Sequence, residues 1–261
     1  MQFVSTDIQG NIATVKLDRG DGRNALSRQV MMELRDTALE LQQRPELMAV
    51  ILHGAGDNFS AGADLSDTSM MDPSASLIEL RHTMKVGPDM CKAWEDIEAY
   101  TVMAIEGYCI GGGVALALSM DYRIMANGGF MRLPEVALGM NMSWNSIPRL
   151  VAQIGPARTQ QFVTLCDKVQ AREALDWGLV EQLVEDGAAL REATAFAERI
   201  GKLPPLSVKM TKSAVKATAN ALSHATSFMD RDQYLLAVQS EDFKEAVTAF
   251  FEKREPNFTG N

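Results

Sequence analysis

Three short runs, Ala49-Val50-Ile51-Leu52, Val102-Met103-Ala104-Ile105 and Tyr122-Arg123-Ile124-Met125, carry the apolar character of buried strands over lengths too short for helices. Each is bounded by a turn or helix signal, and helical spacing fills the intervals. Val30, Leu34, Ala38 and Leu41 follow a capping Ser27 at helical spacing, and Pro45 closes that run after Arg44. The alternation requires an α/β fold with helices layered on a sheet.

The flanking segments fit this layering. Phe3 to Gln9 and Ile12 to Leu17 alternate apolar and polar residues around Gly10-Asn11, the pattern of a hairpin. Helices are expected over Pro156–Cys166 and Ala171–Trp177, the second stopped by Gly178 before a strand from Leu179 to Val184. Ser66 to Pro88 shows no clear periodicity and reads as a mobile segment over a site. From Pro204-Pro205 onward, Leu206–Leu222 and Thr226–Lys253 are helical patterns with no strand between them. The expected division is a core over 1–200 and an appended helical layer over 201–261. Phe228, Leu235, Leu236, Val238, Phe243, Val247, Phe250 and Phe251 exceed what one amphipathic stripe needs. A partner subunit covering some of them is favoured over packing on the chain's own core.

Charge narrows the function classes. With 25 Lys and Arg against 34 Asp and Glu, the net charge of −9 disfavours nucleic acid and anionic membrane surfaces as partners. Cys91, Cys109 and Cys166 form no CxxC and read as reduced core residues; no metal site is indicated. No apolar stretch reaches membrane-spanning length. Met1 to Ser5 runs into alternating strand sequence rather than a signal peptide, so the expected location is cytoplasmic.

Nucleotide motifs fail. Gly54-Ala55-Gly56-Asp57-Asn58-Phe59 lacks the third glycine of a dinucleotide fingerprint, and no GxxxxGK[ST] occurs. Asn58-Phe59-Ser60-Ala61-Gly62 falls one residue short of a nucleophile elbow, which leaves Ser60 as a turn residue. Consecutive glycines at Gly111-Gly112-Gly113, by contrast, open an Ala/Leu-rich helix and leave unpaired backbone N–H groups at its positive end. The small-residue segment Gly54 to Leu65 can supply a second such donor, and two converging donors make an oxyanion hole. About twenty residues on, Leu133-Pro134-Glu135 places a carboxylate where a base beside that anion is wanted.

These segments together resemble the enoyl-CoA hydratase/isomerase family, the crotonases. The matching stretches run in order through Arg23–Ser27, Ala49–Leu65, Gly107–Ala126, Leu133–Gly139, Ile154–Arg158, Ala174–Val180 and Phe250–Arg254. The resemblance implies a crotonase-like spiral of repeated ββα units, a C-terminal helical trimerisation region, and a homotrimer or a hexamer built from two trimers. It implies an acyl-CoA substrate, with coenzyme A part of that substrate and no tightly bound cofactor. By the same resemblance Ala63 and Gly112 donate to the thioester oxygen, while Ala25, Ala61, Asp64 and Leu65 lie along the CoA path. Arg23, and Lys253 from a neighbouring subunit, face the CoA phosphates; guanidinium suits that task through directional hydrogen bonds. Met70, Met71, Met84, Met140, Met142, Ser143 and Trp144, with His82, are candidates for an adaptable acyl pocket, although core packing explains the methionines almost as well.

One departure decides the expected reaction. Family hydratases use two glutamates, and the first of these aligns with Ala115, which can neither orient water nor exchange a proton. A lone Glu135 suffices for moving a double bond from Δ3 to Δ2 through a thioester enolate, and isomerisation is therefore the leading expectation. The rivals are a hydratase or lyase drawing a second polar group from Asp67, His82 or Asn145, a decarboxylase, and a non-catalytic acyl-CoA binder. Ser143 occupies a position where other relatives carry an acid, and a hydroxyl cannot replace it. Glu135 paired with Arg132 or Arg149 as a purely structural acid is the remaining alternative.

Overall fold

The expected hairpin forms from β1 (Val4–Gln9) and β2 (Ile12–Leu17), paired antiparallel with Gly10 at φ 61° in the turn. The structure, a computed structural model, describes residues 1–70, 72 and 74–261, apart from the side chain of His224. Ser27 caps α1 (Arg28–Gln42), its Oγ accepting from the Val30 N–H. Then follow β3 (Ala49–Gly54), α2 (Leu77–Thr83), α3 (Val86–Glu95), β4 (Tyr100–Ile105), β5 (Tyr108–Ile110) and α4 (Gly112–Leu118). The chain continues through β6 (Tyr122–Ala126), β7 (Phe130–Arg132), α5 (Ser146–Leu165), β8 (Val169–Gln170), α6 (Ala171–Trp177), β9 (Gln182–Val184) and α7 (Ala189–Ile200). The last elements are α8 (Pro205–Ala219), α9 (Ser223–Ser227), α10 (Asp230–Ala237) and α11 (Glu241–Glu252).

Among the described residues the larger sheet has the order β1-β2-β3-β4-β6-β9 and the smaller β5-β7-β8. From β2 outward the large sheet is parallel. Each turn of the chain gives one strand to each sheet: β4 then β5, β6 then β7. A bridge between Ser60 and Cys109 extends the small-sheet stack to the segment after β3. That is the ββα spiral the resemblance implies. The small-sheet strands run directly into the segments bearing Gly111 and Glu135.

Strand alternation splits the interior in two. Val50, Leu52, Met103 and Ile105 face the main core, whereas Ala49, Ile51, Val102 and Ala104 face a second one. The second is closed by Ala189, Ala193 and Ala197 of α7, whose small side chains allow that helix to lie close to the sheet. Both faces are therefore buried, which is why these strands read as continuous apolar runs. At the far end of α4, the buried Arg123 donates to the carbonyls of Ala117 and Met120 at 3.1 and 2.9 Å and to Leu179 at 2.8 Å. A cation at a helix C-terminus satisfies its free carbonyls and its dipole together.

Three expectations need correction. Ser66–Pro88 is not irregular throughout: α2 lies within it, opened by a capping box in which Ser76 and Glu79 bond reciprocally. The expected helix over Thr226–Lys253 is broken into α9, α10 and α11, and Ser240 starts the last by accepting from the Phe243 N–H at 3.0 Å. The strand expected from Leu179 begins at Gln182. Of the apolar residues assigned to a partner, Leu235 and Val238 are buried on the chain's own fold, while Leu236, Phe250 and Phe251 are exposed. Helix α8 is tied to the sheet by the buried Lys212, whose ammonium meets the partly buried Asp121 at 2.6 Å.

Candidate active site

The first amide donor is prepared by a short parallel bridge between Leu26 and Ala63. The Leu26 N–H donates to Gly62 O at 2.7 Å, and the Asp64 N–H donates to Leu26 O at 3.2 Å. In an extended segment successive N–H groups point to opposite sides, so the Ala63 N–H faces away from Leu26. Ser60 holds this loop from below, its buried Oγ donating to Asn24 O at 2.8 Å and accepting from the Gly62 N–H at 3.1 Å. It is a turn residue, as its sequence context implies.

The second donor lies alongside. Gly111, at φ 52°, turns the chain from β5 into α4, leaving Gly112 as the first helical residue with its N–H outside the helical ladder. Gly62 sits against this turn so closely that a Cβ there would lie 2.6 Å from Ile110 O and 3.3 Å from Gly112 N. The two loops are therefore packed backbone to backbone. Only glycine fits between them.

Glu135 completes the arrangement. It follows β7 and starts a short 3-10 turn, its carbonyl accepting from the N–H groups of Leu138 at 3.1 Å and Met140 at 2.8 Å. Its carboxyl packs on the α-carbon of Gly111, where a Cβ would come within 2.7 Å of Oε1. Oε2 is buried with no hydrogen-bond partner. Burial raises its pKa from 4.5 to about 7, opposed only by a hydrogen bond from its own backbone N–H. Neither arginine considered as a partner reaches it. Arg132 donates to Cys166 O at 2.7 Å, and Arg149 binds Glu95 at 3.0 Å and the carbonyls of Trp144 and Asn145.

Ala63, Gly112 and Glu135 open into one cavity of about 310 Å³. Met70, Met84, Met140, Ser143 and Trp144 line it, as do Asp64 and Leu65. Trp144 is held in the left-handed region at φ 59°, and its ring lies against the α-carbons of Gly112 and Gly87, at both of which a Cβ would collide with it. Ala115 is fully buried in the main core and is not part of the cavity wall. The other acids in the wall are committed elsewhere. Asp64 pairs with Arg19 at 2.7 Å, and Asp67 accepts from the Arg28 N–H and the Ser69 hydroxyl at 2.7 and 2.6 Å.

Several sequence candidates fall outside the cavity. His82 is exposed on α2 and does not line it, which corrects its assignment to the acyl pocket. Asn145 spends its N–H on Asp230 at 3.0 Å and also lies off the wall. Arg23 is exposed at the loop edge beside Ala25 and Ala61, its carbonyl accepting from the Ala61 N–H at 2.8 Å. Lys253 is exposed at the end of α11 and does not line the cavity of its own chain. Met71 lies outside the described residues. Conversely, Asn141 and, from the C-terminal helices, Arg231, Tyr234, Phe243 and Val247 line the cavity without having been anticipated. Burial, and then the charge of Glu135, push the Tyr234 phenol up to about 12, so it stays protonated as a donor near that carboxylate.

A family description, enoyl-CoA hydratase/isomerase, matches residues 7–261. The chain belongs to this family. It is 30% identical over 248 residues to a crotonyl-CoA hydratase of Syntrophomonas wolfei, covering 95% of this chain and 94% of that protein. It is 31% identical over 247 residues to a short-chain-enoyl-CoA hydratase of Clostridium acetobutylicum, covering 94% and 93%. Its fold superposes on a crystal structure of an enoyl-CoA hydratase/isomerase from Pseudoalteromonas atlantica with a TM-score of 0.88 at 27% identity, covering 98% and 100% of the two chains. The crotonase-like spiral with a helical C-terminal region is thereby shared. Enzymes of this family act on CoA thioesters without a tightly bound cofactor. No helix among the described residues is long and apolar enough to cross a membrane.

Proposed function

We propose that this family member moves the double bond of an enoyl-CoA from Δ3 to Δ2 through a thioester enolate, with Glu135 as the sole acid and base. The observation that carries the reading is the pairing of a buried carboxyl, its Oε2 without a hydrogen-bond partner and its pKa raised to about 7, with a fully buried alanine where a second acid would stand. Ionised Glu135 removes a proton from C2, and the charge spreads onto the thioester oxygen. The Ala63 and Gly112 N–H groups stabilise that oxygen, and the protonated carboxyl returns the proton to C4. No water enters the reaction. The exposed Arg23 and a neighbour's Lys253 are proposed to meet the CoA phosphates at the rim.

A second reading is hydration, favoured by the names of the relatives and by Tyr234, a protonated phenol on the cavity wall near Glu135 that can orient water. Supplying 3-enoyl-CoA and 2-enoyl-CoA in separate reactions distinguishes the two. Migration of the double bond in the first, with no 3-hydroxyacyl-CoA from the second, is the expected result; water addition without migration would overturn the proposal.

Self-association is also proposed. Leu236, Phe250 and Phe251, between 58% and 74% exposed in the single chain, form the apolar surface that copies of this chain would cover in a trimer or a hexamer. Light scattering on a sizing column is expected to give three or six times the 28.6 kDa chain mass. A monomer peak would remove this assignment and leave the chemistry untouched.

A further inference from the structure

The cavity wall carries a charge that the enolate chemistry does not use. Most of the wall beyond Glu135 is apolar, built from methionines, Trp144 and Val247. Into it comes Arg231 of α10, whose Nε is buried without a hydrogen-bond partner. Its neighbour in sequence, Asp232, is taken by Arg81 of α2 through contacts of 2.5 and 3.2 Å. Among the described residues no hydrogen bond or ion pair engages Arg231. Asn141 lies on the same wall with its Oδ1 also buried and unpartnered. Rotating that amide by half a turn presents its NH₂ instead, so Asn141 can add a donor beside the guanidinium.

A buried, unpaired guanidinium nitrogen is costly to keep in an apolar wall, and a bound anion removes the cost. Guanidinium matches a carboxylate in shape, as two parallel N–H donors facing two oxygens. Resting on the acyl-CoA reading above, we propose that the acyl group carries a second, free carboxylate, held by Arg231 with Asn141 beside it. The methionine-rich stretch takes the methylene or alkenyl part between the two ends. A plain hydrocarbon tail would leave both polar groups unsatisfied. Selectivity of this kind is steep, because a site built for a hydrogen-bonding group discriminates strongly against an analogue that lacks it.

Equilibrium titration of the full-length protein with two unreactive thioesters tests this. Glutaryl-CoA carries the carboxylate, and 5-methylhexanoyl-CoA replaces it by an isopropyl group of similar shape. Glutaryl-CoA is expected to bind more tightly, and Arg231→Met to weaken it about 10- to 100-fold while leaving the neutral thioester unchanged, in line with the strength of hydrogen bonds to charged groups. Arg231→Lys, which keeps the charge, is expected to retain part of the preference and guards against a folding defect in the first variant. Equal binding of the two thioesters would overturn the proposal, as would an equal loss for both in Arg231→Met, which would mark Arg231 as a contact to the CoA phosphates. Failure of both thioesters to bind would instead remove the acyl-CoA reading itself. Because no turnover is needed, the result stands apart from the choice between isomerase and hydratase.

Discussion

Glu135→Gln is expected to lower kcat by about 10²- to 10⁴-fold, the range for loss of a positioned acid or base, with acyl-CoA affinity retained. The amide has nearly the shape of the carboxyl but cannot take the C2 proton. Rapid-quench assays beside binding titrations would separate the two effects, and unchanged turnover would return the chain to the class of non-catalytic binders. The wild-type pH profile should rise with unit slope and level off above about 7, since the base must be ionised and burial has raised its pKa to that value.

The same group makes a stability prediction of opposite sense. Its folded pKa lies above the unfolded value of 4.5, so the folded state binds more protons between these limits. The associated stability is fully present below 4.5 and is lost as the pH rises through about 7. Ionising the buried carboxyl therefore costs the wild type about 3 kcal/mol at pH 8, a cost that Glu135→Gln does not bear. Denaturant titrations should find the variant gaining on the wild type from pH 4 to pH 8. Activity and stability would thus move in opposite directions on one substitution, as expected where a buried ionisable group is kept for chemistry at a cost in stability.

Gly62→Ala should be the second large loss. Gly62 has φ 83°, and the added methyl would press on Ile110 O and approach Gly112 N. Relieving that contact separates the two loops that carry the proposed oxyanion donors, and losing one such donor costs about 10²- to 10³-fold in kcat. Strain alone accounts for about 1–2 kcal/mol of stability, the cost of a left-handed backbone for a residue with a Cβ. Gly56→Ala supplies the control: Gly56 is on the same loop with φ 76° and nothing within 4 Å of its Cβ position. It should share the strain and keep full turnover. Equal activity losses in the two variants would show that backbone distortion, not donor geometry, is responsible.

The sequence was legible where local chemistry and tertiary structure agree. Strands β3 and β4 are covered on both faces and advertise it as apolar runs, and Ser27 and Gly178 mark helix ends by chemistry that acts within a few residues. The glycines at 111–113 and Glu135 were readable for a similar reason, since a close backbone approach leaves glycine few substitutes. Strands β5 and β7 were not found; at three residues each they have no period to detect, and the spiral alone pairs them. Helix α2 buries none of its residues and shows no apolar stripe, although its Ser76–Glu79 capping box was present to be read. Helix α7 packs through alanines, which give a weak hydrophobic signal. Arg231 and Tyr234 lie almost a hundred positions from Glu135, and nothing local to them marks a cavity wall.

Gly139, just past the Glu135 turn, lies so close to α11 that a Cβ would stand 2.8 Å from the Phe243 α-carbon, and Arg231, Tyr234, Phe243 and Val247 form one side of the cavity. A chain emerging from the ribosome presents its amide donors and its acid long before that wall exists. Those four residues, supplied by the last helices, share the cavity wall with Glu135. On the proposed chemistry, synthesis order leaves the enclosure for last: a prematurely terminated chain ending before α10 would carry Ala63, Gly112 and Glu135 and still lack one side of the wall around them.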